Sequence, residues 1–380
     1  MQAPSIRPEP GVSWDSALWA VGLMSGTSLD GVDAALIRSD GRGWVETGAA
    51  LSRPYDAAFR EDLRRLLGQA RPGEAVLSPL VRKLTERHAE AVEDLLAQSG
   101  LAPEAVGVIG FHGQTIAHDP AAGITCQIGD GDLLAASTGI PVVTDFRSRD
   151  VAAGGEGAPL APLYHAALAS KIARPLAVIN IGGVANVTWL GPGPDDLLAF
   201  DTGPGNALLD DWVLRTYHRP MDTDGALARA GRVHEDVLER LLDNPYFARP
   251  APKSLDRDAF DFSPVTRLSP EDGAATLTAF TAEAIGLGAA LLPSPPHRWL
   301  VCGGGRRNPA HMAALAARLS GPVEPVEAVG WDGDCLEAQA FAYLAIRSLC
   351  DLPLSLPGTT GVSRPTTGGR LHRATGGSRA

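Results

Sequence analysis

An aspartate that ends an apolar run and opens a glycine turn is well placed to act as a base. Asp201 is such a residue, with the run 197–200 before it and Thr202-Gly203-Pro204-Gly205-Asn206 after it. The run would fix its backbone, and the turn would leave room for a substrate. The same residue could instead cap the turn or helix that follows. Carboxylates are weak bases, so the first role depends on positioning beside water or a hydroxyl and on charge developing in the transition state. Two further groups stand directly after short apolar runs. His112 and Gln114 follow residues 106–111, and Asp145 and Arg147 follow residues 141–144. Arg147 can pair with Asp145 or present its planar fork to a carboxylate or phosphate. For His112 a substrate contact and a structural role at a strand end are both open.

Three glycine-bearing turns accompany these groups, at 24–33, 180–186 and 303–308. The first reads Met24-Ser25-Gly26-Thr27-Ser28-Leu29-Asp30-Gly31-Val32-Asp33, which is more than a β-turn needs. Glycine lets backbone approach a ligand closely, and backbone N–H groups or a helix N-terminus favour anions. Neither the phosphate-loop lysine pattern nor the dinucleotide-binding glycine spacing is present. The G-x-S-x-G elbow of a Ser-His-Asp hydrolase is also absent. With Asp30, Asp33, Asp130 and Asp201 nearby in type and setting, the turns suggest a nucleotide site. Phosphate charge calls for Mg²⁺, which takes few carboxylates, whereas no His/Cys spacing supports zinc.

The elements that must position these residues follow from periodicity. Strands are expected at 17–23, 32–38 and 43–52, then helices at 56–68 and from Ser78-Pro79 to Gly100. On the second helix His88 shares the apolar stripe of Leu80, Leu84, Ala91 and Leu95, which favours a buried structural histidine. Strands at 106–111, 124–128 and 141–144 run into polar residues, with a helix at 131–138 between the last two. Gly154-Gly155-Glu156-Gly157 reads as a hinge or a close-approach turn before a helix at 160–170. Strands at 176–179, 185–190 and 197–200 then echo the order of residues 17–68, a sign of duplicated topology. Helices at 206–218, 270–291, 309–319 and 336–349 and a strand at 299–302 complete the pattern, and the last ten residues read as a loose tail. The expected domains are 1–140 and 141–349, with 350–380 packing back on the first.

Composition narrows the class. At 380 residues and 39.6 kDa, two domains are the default. A net charge of -11 argues against a nucleic-acid partner but allows a locally positive site for an anion. The scattered Cys126, Cys302, Cys335 and Cys350 form no short metal-type pair and are expected as buried free thiols. No long apolar segment marks a secretory signal or membrane span, so a cytoplasmic protein without a membrane partner is expected.

Longer motifs carry a family resemblance. In order they are MSGTSLDGVD at 24–33, FHGQT at 111–115, QIGD at 127–130, DFRSRD at 145–150 and GGEGAPL at 154–160. NIGGVANVT at 180–188, DTGPGNALLD at 201–210, PYFARPAPKS at 245–254 and CGGGRRNP at 302–309 follow. From about residue 21 to 361 the chain resembles the anhydro-N-acetylmuramic acid kinases, bacterial enzymes of cell-wall recycling. The resemblance implies an α/β, two-domain actin/Hsp70/sugar-kinase-like fold, each domain built on a ribonuclease-H-like mixed sheet, with ATP in the cleft. It implies a reaction on 1,6-anhydro-N-acetylmuramic acid in which water opens the ring and O6 receives the γ-phosphoryl.

Residue roles follow only by that carry-over. Gly26, Thr27, Ser28, Asp30, Gly31 and Asp33 would serve the ATP phosphates, with Asp30 and Asp33 at the metal. Gly182, Gly183, Gly203, Gly205 and Asn206 would face them, and Gly303, Gly304, Gly305 and Asn308 would hold the adenosine. Asp201 would be the base, Asp145 and Arg147 would join it in catalysis and sugar binding, and His112 and Gln114 would line the sugar pocket. A homodimer is implied as well. Thr144, where glycine is expected, and Trp331, where a smaller residue is expected, depart from the pattern. A same-fold kinase for another anhydrosugar and a nucleotide-gated binding protein are the alternatives.

Overall fold

The apolar runs on either side of residues 24–33 pair with each other, as their alternation with polar positions requires. The computed structural model describes residues 17–26, 29–69, 74–256 and 259–374. Strands β1 (Leu18–Ser25), β2 (Gly31–Ser39) and β3 (Val45–Pro54) form an antiparallel meander. Strands β4 (Val106–Asp119) and β6 (Val142–Thr144) add to β1 in parallel, and β5 (Ile124–Ile128) forms a hairpin with the far part of β4. The C-terminal strand, Arg370–His372, closes this first sheet against β6. The second sheet holds β7 (Leu176–Ile181), β8 (Val184–Leu190), β9 (Leu197–Pro204), β10 (Trp299–Cys302) and β11 (Val323–Pro325).

The two sheets repeat one plan. One runs β3-β2-β1-β4-β6 and the other β9-β8-β7-β10-β11, each an antiparallel meander continued by parallel strands. This is the ribonuclease-H-like mixed sheet, twice, and it accounts for the echo in the sequence. The chain divides accordingly. Unit 1 comprises Met1–Lys171, Cys335–Pro357 and Gly361–Ala380, and unit 2 comprises Ile172–Asp334 and Gly358–Thr360.

That division corrects the expected boundary at 140 and the assignment of helix 336–349 to the second domain. Strand β6 belongs to the first sheet through its pairing with β4. The helix Leu336–Leu349 lies on the same sheet, close enough that a Cβ at Gly22 would fall 1.7 Å from the Ala338 carbonyl oxygen. Only a glycine at that point of β1 admits the helix. Nearly the whole helix is buried, and Tyr343 anchors it by donating to the Arg42 carbonyl at 2.6 Å.

Other differences have local causes. The helix Glu74–Ser99 starts before Pro79, which lies inside it near the N-terminal end, where the ring removes one intrahelical bond. Strand β4 does not stop at residue 111, because pairing of Gln114 with Ile128 begins the β5 hairpin and satisfies its backbone. Gly113, at φ +72°, makes the bend between the two partners. The tail is not loose over residues 370–372, which are sheet. His88 is fully buried, bonded through Nδ1 to the Leu84 carbonyl at 2.8 Å.

Unit 1 packs Phe59, Leu63, Leu84 and Leu95 under its sheet, each worth about 1.5–3 kcal/mol when fully buried. In unit 2 the helix Pro270–Ala289 starts at a Ser269 cap, whose Oγ accepts from Asp272 N–H at 3.1 Å, and its small residues lie against β9. Cys302 and Cys335 are buried and Cys126 and Cys350 half-buried, all as free thiols. No helix among the described residues is long and apolar enough to cross a membrane.

Candidate active site

In unit 1 the candidate groups begin with the turn between β1 and β2. A hydrogen bond from Leu29 N–H to the Gly26 carbonyl, 3.1 Å, closes it. Thr27 and Ser28, two expected phosphate contacts, lie outside the described residues. Asp30 is exposed, and Asp33, half-buried on β2, accepts from the Ser52 hydroxyl. Gly31 has a packing reason of its own, since a Cβ there would sit 2.2 Å from the Arg53 carbonyl oxygen of β3.

A buried chain braces this turn from below. Ser25 Oγ donates to Gln114 Oε1 at 2.6 Å and meets the Tyr55 hydroxyl at 2.9 Å. Gln114 Nε2 donates to the Gly26 and Thr115 carbonyls at 3.1 and 3.2 Å. Gln114 has no exposed surface, and its amide holds the Gly26 carbonyl. Burial pushes the Tyr55 hydroxyl far above its usual pKa, so it stays a neutral donor in this chain.

His112 and Arg147 do meet. Arg147 donates to His112 Nε2 from Nε at 3.1 Å, with a second nitrogen of its fork at 3.0 Å, and His112 Nδ1 lies 2.8 Å from the Gly113 carbonyl. That arrangement needs a neutral ring with its proton on Nδ1. Burial, then the Arg147 charge, holds His112 well below its ordinary pKa. His112 therefore accepts from Arg147 and holds its fork. Arg147 also donates to the Gly157 carbonyl at 2.6 Å, while Gly157 N–H donates to buried Asp150 at 2.7 Å. The 154–157 segment is thus a close-approach turn that holds an arginine. Asp145, two residues earlier, is exposed and sits at φ 55°, a left-handed backbone that a non-glycine residue keeps only when its surroundings enforce it.

In unit 2 the setting of Asp201 differs from the expected one. The residue lies inside β9, which continues to Pro204, because Asn186, Ala185 and Val184 of β8 pair with Asp201, Gly203 and Pro204. Its environment is built by the segment 245–255. Asp201 N–H donates to the Lys253 carbonyl at 2.9 Å, Tyr246 Oη donates to the Asp201 carbonyl at 2.5 Å, and Leu255 N–H donates to Asp201 Oδ2 at 2.8 Å. Lys253, buried beneath, donates to the Tyr246 carbonyl at 3.0 Å and lies over the Tyr246 ring. Burial, and then Arg249, lowers the Lys253 pKa to about 8. Sequence reasoning quoted this segment as a motif but gave Tyr246 and Lys253 no role. Their clustering with aromatics was the available signal.

The glycines of unit 2 separate into two kinds. At Gly205 an added Cβ would meet the Gly182 carbonyl oxygen at 2.2 Å, and at Gly203 the Ala284 side chain at 2.7 Å. Gly303 and Gly305 are likewise pressed, against Asn180 and Ile181 at 2.3 Å. At Gly182, Gly183 and Gly304 the nearest atom is 3.6–3.8 Å away, so space beside them is not claimed by packing. Asn206 Nδ2 donates to the Ile181 carbonyl at 3.1 Å, and Asn308 Oδ1 caps the helix Pro309–Arg318 through Ala310 N–H at 2.9 Å. Both asparagines shape loops. Arg306, which sequence reasoning passed over, locks the third loop to Glu327 at 2.7 Å, Asp334 at 2.9 Å and the Gly303 carbonyl at 3.0 Å.

Comparison with known proteins decides whose site this is. The sequence model of the family described as anhydro-N-acetylmuramic acid kinase matches residues 18–374. The chain belongs to the anhydro-N-acetylmuramic acid kinase family. It is similar to the enzyme of that name from Rhodospirillum rubrum, 59% identical over 93% of this chain and 94% of the relative. The one from Paramagnetospirillum magneticum is 57% identical over 93% and 99%. The one from Zymomonas mobilis is 49% identical over 93% and 99%. Membership in the anhydro-N-acetylmuramic acid kinase family makes the chain a phosphotransferase that uses ATP, and the doubled sheet is the sugar-kinase-like fold named above.

Proposed function

We propose that this kinase opens the 1,6-anhydro ring of 1,6-anhydro-N-acetylmuramic acid with water and phosphorylates the released O6 with ATP. The observation that carries this reading is the fixed carboxylate of Asp201, 7% exposed, with Oδ2 held by Leu255 N–H. Asp201 takes a proton from water as the water oxygen bonds to C1 and the C1–O6 bond breaks. O6 then bonds to the γ-phosphorus as the bond to the bridging oxygen of ADP breaks, giving N-acetylmuramic acid 6-phosphate and ADP. Ring opening thus makes the nucleophile in place, and positioning supplies most of what phosphoryl transfer asks.

The remaining roles extend the same proposal. Arg147, fixed by His112 and Gly157, offers charge-assisted hydrogen bonds to the anionic sugar, and Asp145 accepts from its hydroxyls. Gly182, Gly183 and Gly304, with open space beside them, receive the nucleotide. Asp30 and Asp33 fit Mg²⁺, since a pair of oxygen donors, one of them exposed, is the kind of set that ion takes. Mg²⁺ would neutralise charge on the phosphate oxygens. The reaction is placed in the cytoplasm, where ATP is available.

A coupled ADP-release assay with the anhydrosugar, ATP and Mg²⁺ tests the reading, with ¹⁸O-water to trace the product. Sugar-dependent ADP formation and label at C1 are expected. ADP formation that ignores the sugar would overturn it, and a faster response to an anhydrosugar lacking the lactyl and acetamido groups would reassign the substrate.

A further inference from the structure

Strand β6 has only three residues, yet it delivers Asp145 in a left-handed backbone conformation. Such a conformation persists in a non-glycine residue only where neighbouring contacts over-determine it. The C-terminal strand supplies those contacts. It pairs with β6 in the register Arg370↔Thr144, Leu371↔Val143 and His372↔Val142. Just before it, Gly369 N–H donates to the Asp145 carbonyl at 3.3 Å, and Arg149 donates to Thr367 Oγ1 at 2.8 Å. Ser348 Oγ donates to the Gly368 carbonyl at 2.8 Å and ties the strap to the helix Leu336–Leu349.

A further contact joins Thr144, the last residue of β6, to the C-terminal strand. Thr144 Oγ1 lies 2.8 Å from His372 Nε2, and His372 Nδ1 lies 2.8 Å from Asp132 Oδ1. The carboxylate fixes the proton on Nδ1, so with a neutral ring the Thr144 hydroxyl donates to Nε2. A glycine at 144 would leave this buried ring nitrogen without that partner.

We propose that Thr144 and His372 are positioning residues, through which the C-terminal strand holds Asp145 and Arg147 in place for the sugar. The inference rests on the proposed sugar-binding role of Asp145 and Arg147. Neither positioning residue touches substrate. Their effect is on where the segment 145–149 stands, so it falls on sugar recognition and spares the nucleotide.

The test uses the full-length enzyme and the variants Thr144→Val, His372→Ala, His372→Gln and the Thr144→Val/His372→Ala double variant. Each single loss of the hydrogen bond is expected to raise the sugar KM about 5- to 10-fold, with the ATP KM within about twofold of the parent. The double variant is expected to be no worse than His372→Ala alone, since that variant already removes the bond to Thr144 together with the one to Asp132. His372→Gln keeps a polar atom near the Nε2 position and is expected to restore most of the sugar KM. Amide exchange read by mass spectrometry should quicken at 145–149 in Thr144→Val and stay unchanged in unit 2. Additive KM effects, or unchanged exchange at 145–149, would overturn the positioning role. A general fall in melting temperature with both KM values unchanged would also overturn it, leaving the strap purely structural. If the parent enzyme shows no sugar-dependent ADP release, the proposed function fails first, and the exchange measurement still judges the strap.

Discussion

Strands β3 and β9 occupy the same place in the two sheets, the outer edge of the meander, but their surroundings differ. None of the ten residues of β3 is buried, whereas six of the eight in β9 are. The difference lies in what covers the edge. Along β3, Arg53 meets Glu90 and Asp94 at a largely exposed surface. Along β9, the helix Pro270–Ala289 presses from one side and the segment 245–255 bonds to the strand's backbone. A buried edge must have its backbone groups satisfied. The cover that satisfies them on β9 also brings Leu255 N–H to the Asp201 carboxylate. Duplicated topology gives two frames, and the covered edge is the one that carries the proposed base.

The sharpest way to break this comparison is to remove the base. Asp201→Asn is expected to lower kcat about 10³-fold, within the range for a positioned general base, with ATP affinity unchanged. Asp33→Asn, in the other sheet, is expected to raise the KM for ATP and Mg²⁺ by more than it lowers kcat. Steady-state kinetics with nucleotide titration separates the two. Equal losses of turnover and nucleotide affinity in Asp201→Asn would make it a structural or metal residue and dissolve the contrast.

The next effect contrasts glycines within unit 2. Gly205→Ala drives a methyl onto the Gly182 carbonyl and is expected to cost about 3 kcal/mol, visible as a lower melting temperature. Gly182→Ala adds a methyl at ordinary contact distance, so stability should shift by less than about 0.5 kcal/mol while the KM for ATP rises. Thermal melts beside nucleotide kinetics check the pair. If Gly182→Ala leaves nucleotide binding intact, the open space there is not the phosphate site.

The sequence made the frame legible because strand periodicity, turn glycines and the doubled order of elements are local signals. Strand ends were less legible. The stop read for β4 at 111 and for β9 at 200 came from polar residues, which ordinarily signal a turn. Both strands continue because the neighbouring strands β5 and β8 satisfy their backbones past the polar residues. The same limit applies to Gln114, whose bonds to Ser25 and Gly26 have no local sign in the sequence. His112 and Arg147 stood 35 residues apart with no local sign that one serves the other. Tyr246 and Lys253 were visible as a motif, but their relation to Asp201 exists only in the folded edge.

Acid should reveal a second contrast between the units. In unit 1 burial pushes His88 and His165 down to about 4, and holds His112 well below its ordinary value. In unit 2 burial does the same to His311, also to about 4. These rings are neutral when folded and take protons near pH 6.5 when unfolded, so the unfolded state binds more protons between those values. Their stabilising contribution is complete above about pH 6.5 and falls as pH drops toward 4, by about 2 kcal/mol at pH 5 for each of His88, His165 and His311. With more such rings, unit 1 is expected to loosen first, read as faster amide exchange in β1 and β4 than in β7 and β10 at pH 5. Simultaneous loosening would mean the buried histidines do not distinguish the units.

The smallest effect bears most directly on how the β9 edge works. Tyr246→Phe removes the hydroxyl that donates to the Asp201 carbonyl and keeps the ring packed against Phe260 at 6.0 Å. A single hydrogen bond of this kind is worth about 1 kcal/mol, so kcat is expected to fall about fivefold with little change in melting temperature. Because the bond is to backbone, its loss changes where the carboxylate points and leaves its charge intact. The deficit should therefore be the same at every pH above 6, and a pH-rate profile distinguishes that from an altered base. A change in the shape of the profile would show that Tyr246 tunes the basicity of Asp201, and the edge would then contribute electrostatics as well as position.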